Sequence, residues 1–189
     1  MRRPWTLRRH APAARRGLPL RLVAVAISAL LLPGCSSGPS AGAWAASVCE
    51  ALAPWRSEIS TLSDRAQQQM TAKTTPAQAK ESLVRLLAGA QAASEAARAK
   101  VADAGVPDVD GGSEVAEGFV RSLTAIRDAY GRARAGIEAL DAGQEDGFYT
   151  RVADVLETLN KEYSRSAPDT SRLKSPGLQR AFDEVPECQ

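Results

Sequence analysis

The stretch Ser113–Leu140, SEVAEGFVRSLTAIRDAYGRARAGIEAL, carries the strongest pattern in this 189-residue chain. Ala116, Phe119, Leu123, Ile126, Tyr130, Ala133, Ile137 and Leu140 follow one another at alternating steps of three and four. That spacing puts all eight on one stripe of an α-helix, a coiled-coil-like seam more than three heptads long. The charges Glu114, Glu117, Arg121, Arg127, Asp128, Arg132, Arg134 and Glu138 fall off the seam, and Ser113 stands at the N-cap position. Gly131 and Gly136 each weaken the helix by roughly 1 kcal/mol relative to alanine unless a neighbour packs against them. A helix with one apolar stripe needs other apolar faces to bury it, so the flanking chain must supply them.

It does so on both sides. From Ala41 to about Met70, Trp44, Val48, Leu52, Trp55, Ile59, Leu62 and Ala66 recur at helical steps. Their spacing reads as core rather than as an aromatic cage around Trp44 and Trp55. Pro54 lies inside this run and predicts a kink near Glu50–Pro54, or two abutting helices. Thr75-Pro76-Ala77-Gln78 opens a second helix with a capping box and a proline at the first position. It runs to about Asp103, with Ala79, Leu83, Leu86, Ala90, Ala93, Ala97 and Val101 inward. Gly105–Gly112 is a loop. Asp108 and Asp110 alternate as calcium ligands do, but Phe119 stands where the bidentate Glu should be, so a solvated turn is expected. After Asp141-Ala142-Gly143, a fourth helix runs from about Gln144 to Tyr163, with Phe148, Val152, Val155, Leu156, Leu159 and Tyr163 inward. A polar, irregular tail over Ser164–Lys174 leads to a short helix from Ser175-Pro176 to about Glu184, docked by Leu178, Ala181 and Phe182 and ended by Pro186. No run alternates with period two, so strand content should be near zero. The fold expected is all-α: an antiparallel four-helix bundle with a kinked first helix and a short C-terminal helix.

The N-terminus reads differently. Seven arginines and no acid precede an 11-residue apolar run, Leu22–Leu32. A basic region followed by such a run is a secretory signal, too short to cross ~30 Å of hydrocarbon. Leu31-Leu32-Pro33-Gly34-Cys35 then resembles a bacterial lipobox. Leu32 takes the apolar position, Gly34 the small residue before the cut, and Cys35 the acylated thiol. The resemblance implies cleavage between Gly34 and Cys35 and lipidation of Cys35. The organisation expected is a signal peptide over 1–34, a lipidated tether over 35–40 and a helical bundle domain over 41–189. An uncleaved anchor, or cleavage near Ala41-Gly42-Ala43, remains open. Arg15-Arg16-Gly17-Leu18 leaves Sec or twin-arginine export undecided. The cysteine parity follows from this: three cysteines in all, one acylated, leave Cys49 and Cys188. In an exported protein these are expected to pair, closing a loop worth roughly 4–5 kcal/mol, with two buried free thiols as the other reading.

The segments Ala104–Val115, Trp44…Cys49 and Leu178–Gln189 together resemble small, alanine-rich helical lipoproteins of actinobacteria. The resemblance implies lipidation, a Cys49–Cys188 bridge and a Gram-positive envelope. It implies no activity, because that family has none established.

Composition narrows function further. The whole chain has 24 basic and 22 acidic residues; without the leader's seven arginines, 17 basic residues face 22 acidic, a net charge near −5. No nucleic-acid partner is expected from such a surface. The single histidine, His10, lies in the leader, so His-dependent triads and imidazole metal sites are not expected, and neither is a cofactor. The acid pairs Glu145–Asp146 and Asp183–Glu184 fall at helix ends. The expectation is a non-enzymatic protein on the extracytoplasmic face of the cell membrane. Its partners would be the membrane, through the lipid, and an unknown envelope protein or component. A small-ligand-binding lipoprotein with an interhelical cavity near Trp44, Trp55 or Phe119 is the alternative.

Overall fold

A computed structural model describes residues 38–143, 145–166 and 173–189, the side chains of Glu145 and Asp146 excepted. Five α-helices make up the folded body: α1 (Ala41–Gln69), α2 (Pro76–Asp103), α3 (Gly112–Glu138), α4 (Glu145–Ser166) and α5 (Pro176–Glu184), followed by a 3-10 turn at Pro186–Cys188. Among the described residues there is no strand. The protein is an all-α helical bundle.

α1 is one continuous helix through Pro54, not two abutting ones. Pro54 and Glu50, four residues back, both lie on the exposed face. The carbonyl left without its amide partner is therefore available to water, which is why the helix tolerates the ring. α2 begins with the expected capping box: Gln78 N–H donates to Thr75 Oγ1 (3.3 Å) and Thr75 N–H to Gln78 Oε1 (3.0 Å). α3 starts differently from expectation. Its N-cap is Gly111 in the left-handed region (φ 73°), and Ser113 is already the second residue of the helix, bonded to Glu117. The backbone explains the displacement. Gly112 packs so closely on the Pro107 carbonyl that a Cβ there would collide with it, and only this Gly-Gly pair lets the loop turn in that space.

Neighbouring helices run antiparallel. At one end, Trp44 Nε1–H of α1 donates to the Gly105 carbonyl after α2 (2.9 Å). At the other, Lys80 of α2 donates to the Leu140 carbonyl after α3 (2.6 Å), and Tyr149 of α4 donates to the Thr74 carbonyl before α2 (3.3 Å). α1 packs on α2, α2 on α3 and α3 on α4, while no described Cα of α1 comes within 8 Å of α4. Between α3 and α4, Tyr130 meets Tyr163 at 6.3 Å.

The core follows the predicted stripes with one rotation. All the seam residues of α3 from Ala116 to Ile137 are buried, and Leu140, past the helix end, is half-buried. On α2, however, Leu87 and Ser94 are fully buried, while Leu86 and Ala93, expected inward, are only half-buried. α2 sits between α1 and α3 and buries a face on each side, so a single-stripe reading misplaces its centre. α5 caps one end of the bundle. Phe182 packs edge-on against Trp44 (5.9 Å) and stacked on Phe119 (5.8 Å), and Trp44 meets Phe119 edge-on (5.5 Å). Three rings from three helices thus close that end, beside the Cys49–Cys188 disulfide, which spans 139 residues of chain.

Candidate functional site

Gly34 and Cys35, the expected cleavage and acylation residues, lie outside the described residues. The chain immediately after them does not. Three residues of the expected 35–40 tether belong to the folded body. Gly38 packs on the Val106 carbonyl, where a Cβ would collide. The Pro39 carbonyl accepts from Asp108 N–H (2.9 Å). Ser40 caps α1, its hydroxyl accepting from Ala43 N–H (3.3 Å) and its carbonyl from Trp44 N–H (2.9 Å). The loop Ala104–Gly111 and the entering chain are therefore laced into one end of the bundle, with the Trp44 indole bonded to Gly105 beneath them. Asp108 and Asp110 are exposed here. Among the described residues no group of three or more His, Cys, Asp or Glu could hold a metal.

The second half of the expected site is the bridge. Cys49 and Cys188 form a disulfide with their Cα atoms 5.1 Å apart. Cys49 is buried on α1, and Cys188 is half-buried in the 3-10 turn that follows α5.

Surface clefts border the aromatic residues named for a ligand cavity. One of about 280 Å3 lies beside the start of α3, between Asp110, Glu114, Phe119 and Arg121 on one side and Leu173 and Lys174 on the other. The exposed ion pair Lys174–Glu114 (3.3 Å) crosses it. Another, of about 240 Å3, follows the α1–α2 groove past Pro54, Trp55, Ala93 and Ala97. Both are open grooves, and Phe119 and Trp55 are only 4% and 7% exposed, so each ring offers little more than an edge. Trp55 is further committed to the core: its Nε1–H donates to Ser94 Oγ (3.0 Å), which in turn donates to the Ala90 carbonyl (2.8 Å).

The spacing of the apolar residues did not reveal a charged cluster across α2 and α3. Glu95 accepts from Arg98 (2.6 Å) on its own helix and from Arg127 (2.8 Å) on α3, and Arg127 also reaches Asp128 (2.7 Å). The hydrogen bond from Arg98, then that from Arg127, hold the Glu95 carboxyl down at about 2. The cluster bridges two helices on a half-exposed face and leaves no acid free for proton transfer. The i,i+3 spacing of Glu95 and Arg98 was the available signal; Arg127 becomes visible only once α2 and α3 are paired. Asp183 and Glu184 end α5 on the surface, and the Glu145–Asp146 side chains lie outside the described residues.

Comparison with protein-family models, with curated proteins and with solved structures found no match. No helix among the described residues is long and apolar enough to cross a membrane.

Proposed function

We propose that the chain is a lipid-anchored envelope protein, acylated at Cys35 on the extracytoplasmic face of the cell membrane. Its helical body acts as a non-enzymatic binding module for another envelope protein or component. The observation that carries the reading is where the folded body starts. Gly38–Ser40 are docked and capping residues. Cleavage between Gly34 and Cys35 keeps all of them, whereas cleavage at Ala41-Gly42-Ala43 removes the α1 cap and the bond to Asp108. The lipobox likeness, the basic and apolar leader and the pairing of the other two cysteines support the same arrangement. An acidic body on a double acyl anchor is held stably at a surface without needing basic patches.

Full-chain Cys35→Ser should keep its leader and take up no fatty-acid label, while the wild type is cleaved and labelled. Equal processing and labelling of the two would remove the anchor from the account. Crosslinking in intact cells followed by capture should recover a partner with the wild type and not with Cys35→Ser. Repeated recovery of the same proteins from both would count against a binding module working at the membrane.

A second reading rests on the cleft beside Phe119: small-ligand binding by the same lipoprotein. Gly118 lines that cleft, and the space where its Cβ would stand is open. Gly118→Phe should fill the groove. If the wild type captures no partner but copurifies with a small molecule that Gly118→Phe loses, the ligand reading replaces the partner reading.

A further inference from the structure

We propose that the loop Ala104–Gly111 is held against the lipid headgroups, with Val106 as its contact, so that the bundle stands end-on with its opposite end turned outward. The inference rests on acylation of Cys35. Three residue steps separate Cys35 from Gly38, and extended chain spans at most about 3.6 Å per residue, so the leash reaches roughly 11 Å. Gly38 itself sits on the Val106 carbonyl, and Pro39 is bonded to Asp108. With the acyl chains in the bilayer, this loop therefore cannot rise far above the headgroup zone.

The loop's surface fits that position. Val106 is 48% exposed, one of only three large hydrophobic side chains so exposed among the described residues. Its neighbour Pro107 is buried, which fixes the tip rather than letting it fold back. A single aliphatic side chain adds little affinity on its own; beside a lipid anchor it adds orientation. Asp103, Asp108 and Asp110 flank it, all exposed, with Lys100 one turn away. A neutral, zwitterionic headgroup layer therefore suits the loop, and anionic lipid opposes it.

The other two exposed hydrophobics, Met70 and Tyr149, both lie at the end of the α1–α2 turn, Met70 as the C-cap of α1 and Tyr149 bonded to Thr74. Helices of 28 residues place that end about 42 Å from the loop.

The test uses the full chain, purified from membranes, with Val106→Cys or Ala72→Cys carrying a dye. With Cys35 acylated and Cys49 bonded to Cys188, the added cysteine is the sole free thiol. The protein is placed in phosphatidylcholine vesicles containing brominated acyl chains, and in the same vesicles with phosphatidylglycerol added. Dye at position 106 should lose much of its fluorescence and dye at 72 should keep its own, with less quenching at 106 once anionic lipid is present. A ten-residue Gly/Ser insertion between Ser37 and Gly38 should bring the two dyes to the same level, since such a linker spreads over roughly 17 Å. Equal quenching at 106 and 72 without the insertion would overturn the apposition while leaving the anchor standing. Protein that never enters the vesicles, with Cys35 found unmodified, would overturn both.

Discussion

At the scale of single residues, the bundle is held together by glycines that receive a neighbour's side chain. Gly89 on α2 takes Leu62 of α1, Gly131 on α3 takes Gln91 of α2, and Gly136 on α3 takes Val155 of α4. A Cβ would stand 2.8 Å from the Leu62 methyl, 2.9 Å from the Gln91 amide and 3.2 Å from Val155. The last two contacts have opposite consequences. Gln91 ends in a flexible amide that can swing aside, so Gly131→Ala should stabilise by up to about 1 kcal/mol through helix propensity. Val155 is branched at Cβ and stiff, so Gly136→Ala should destabilise by about 1 kcal/mol as α4 is pushed off. Thermal melts of the two variants should move in opposite directions. Glu95 belongs to the same scale. Its carboxyl is lowered in the fold, so its stabilising effect is present above the ordinary carboxylate range and fades as pH falls from about 4.5 towards about 2. Glu95→Gln should flatten the acid limb of a stability-against-pH curve over that window; an unchanged limb would show that the Arg98 and Arg127 contacts do not hold in solution. Tyr130 works at the other limb. Burial pushes its hydroxyl up to about 12, so stability should fall as pH rises from about 10 towards 12, and Tyr130→Phe should remove that fall.

At the scale of elements, α5 is the piece whose docking depends most on few contacts. Leu178 is fully buried, and Phe182 completes the ring cluster with Trp44 and Phe119. Phe182→Ala should cost about 3–5 kcal/mol. Reducing the disulfide removes a constraint on the unfolded chain worth roughly 4–5 kcal/mol for a loop of this length. Chemical denaturation with and without reductant should show losses of that order, and near-native stability after either change would mean that α5 is not needed to close the bundle. Which elements form was legible in the chain, because periodicity of three and four survives any packing arrangement: α3's seam from Ala116 to Ile137 is buried as read. What was not legible depended on neighbours. Leu87 is buried more deeply than Leu86, which packs at the margin of the core, because α2 is flanked on both sides. Gly111 rather than Ser113 starts α3 because Pro107 occupies the space that a side chain at 112 would need. Gly38–Ser40 look like spacer in composition and become fold only because Asp108 and Val106 lie opposite them.

At the scale of the whole molecule, the aromatic cluster, the disulfide and the docked start of the chain gather at one end, and the exposed Met70 and Tyr149 at the other. On the proposed acylation at Cys35 this asymmetry would become a direction, one end at the bilayer and one presented outward, on a body whose net charge is near −5. Everything functional in the account depends on what happens at that cysteine. The most direct measurement is the intact mass of the protein extracted from membranes. The predicted species begins at Cys35, carries a thioether-linked diacylglyceryl group, and is two hydrogens lighter for the Cys49–Cys188 bond. A chain that still starts at Met1, one that starts at Trp44, or a bridge that uses Cys35 would contradict it.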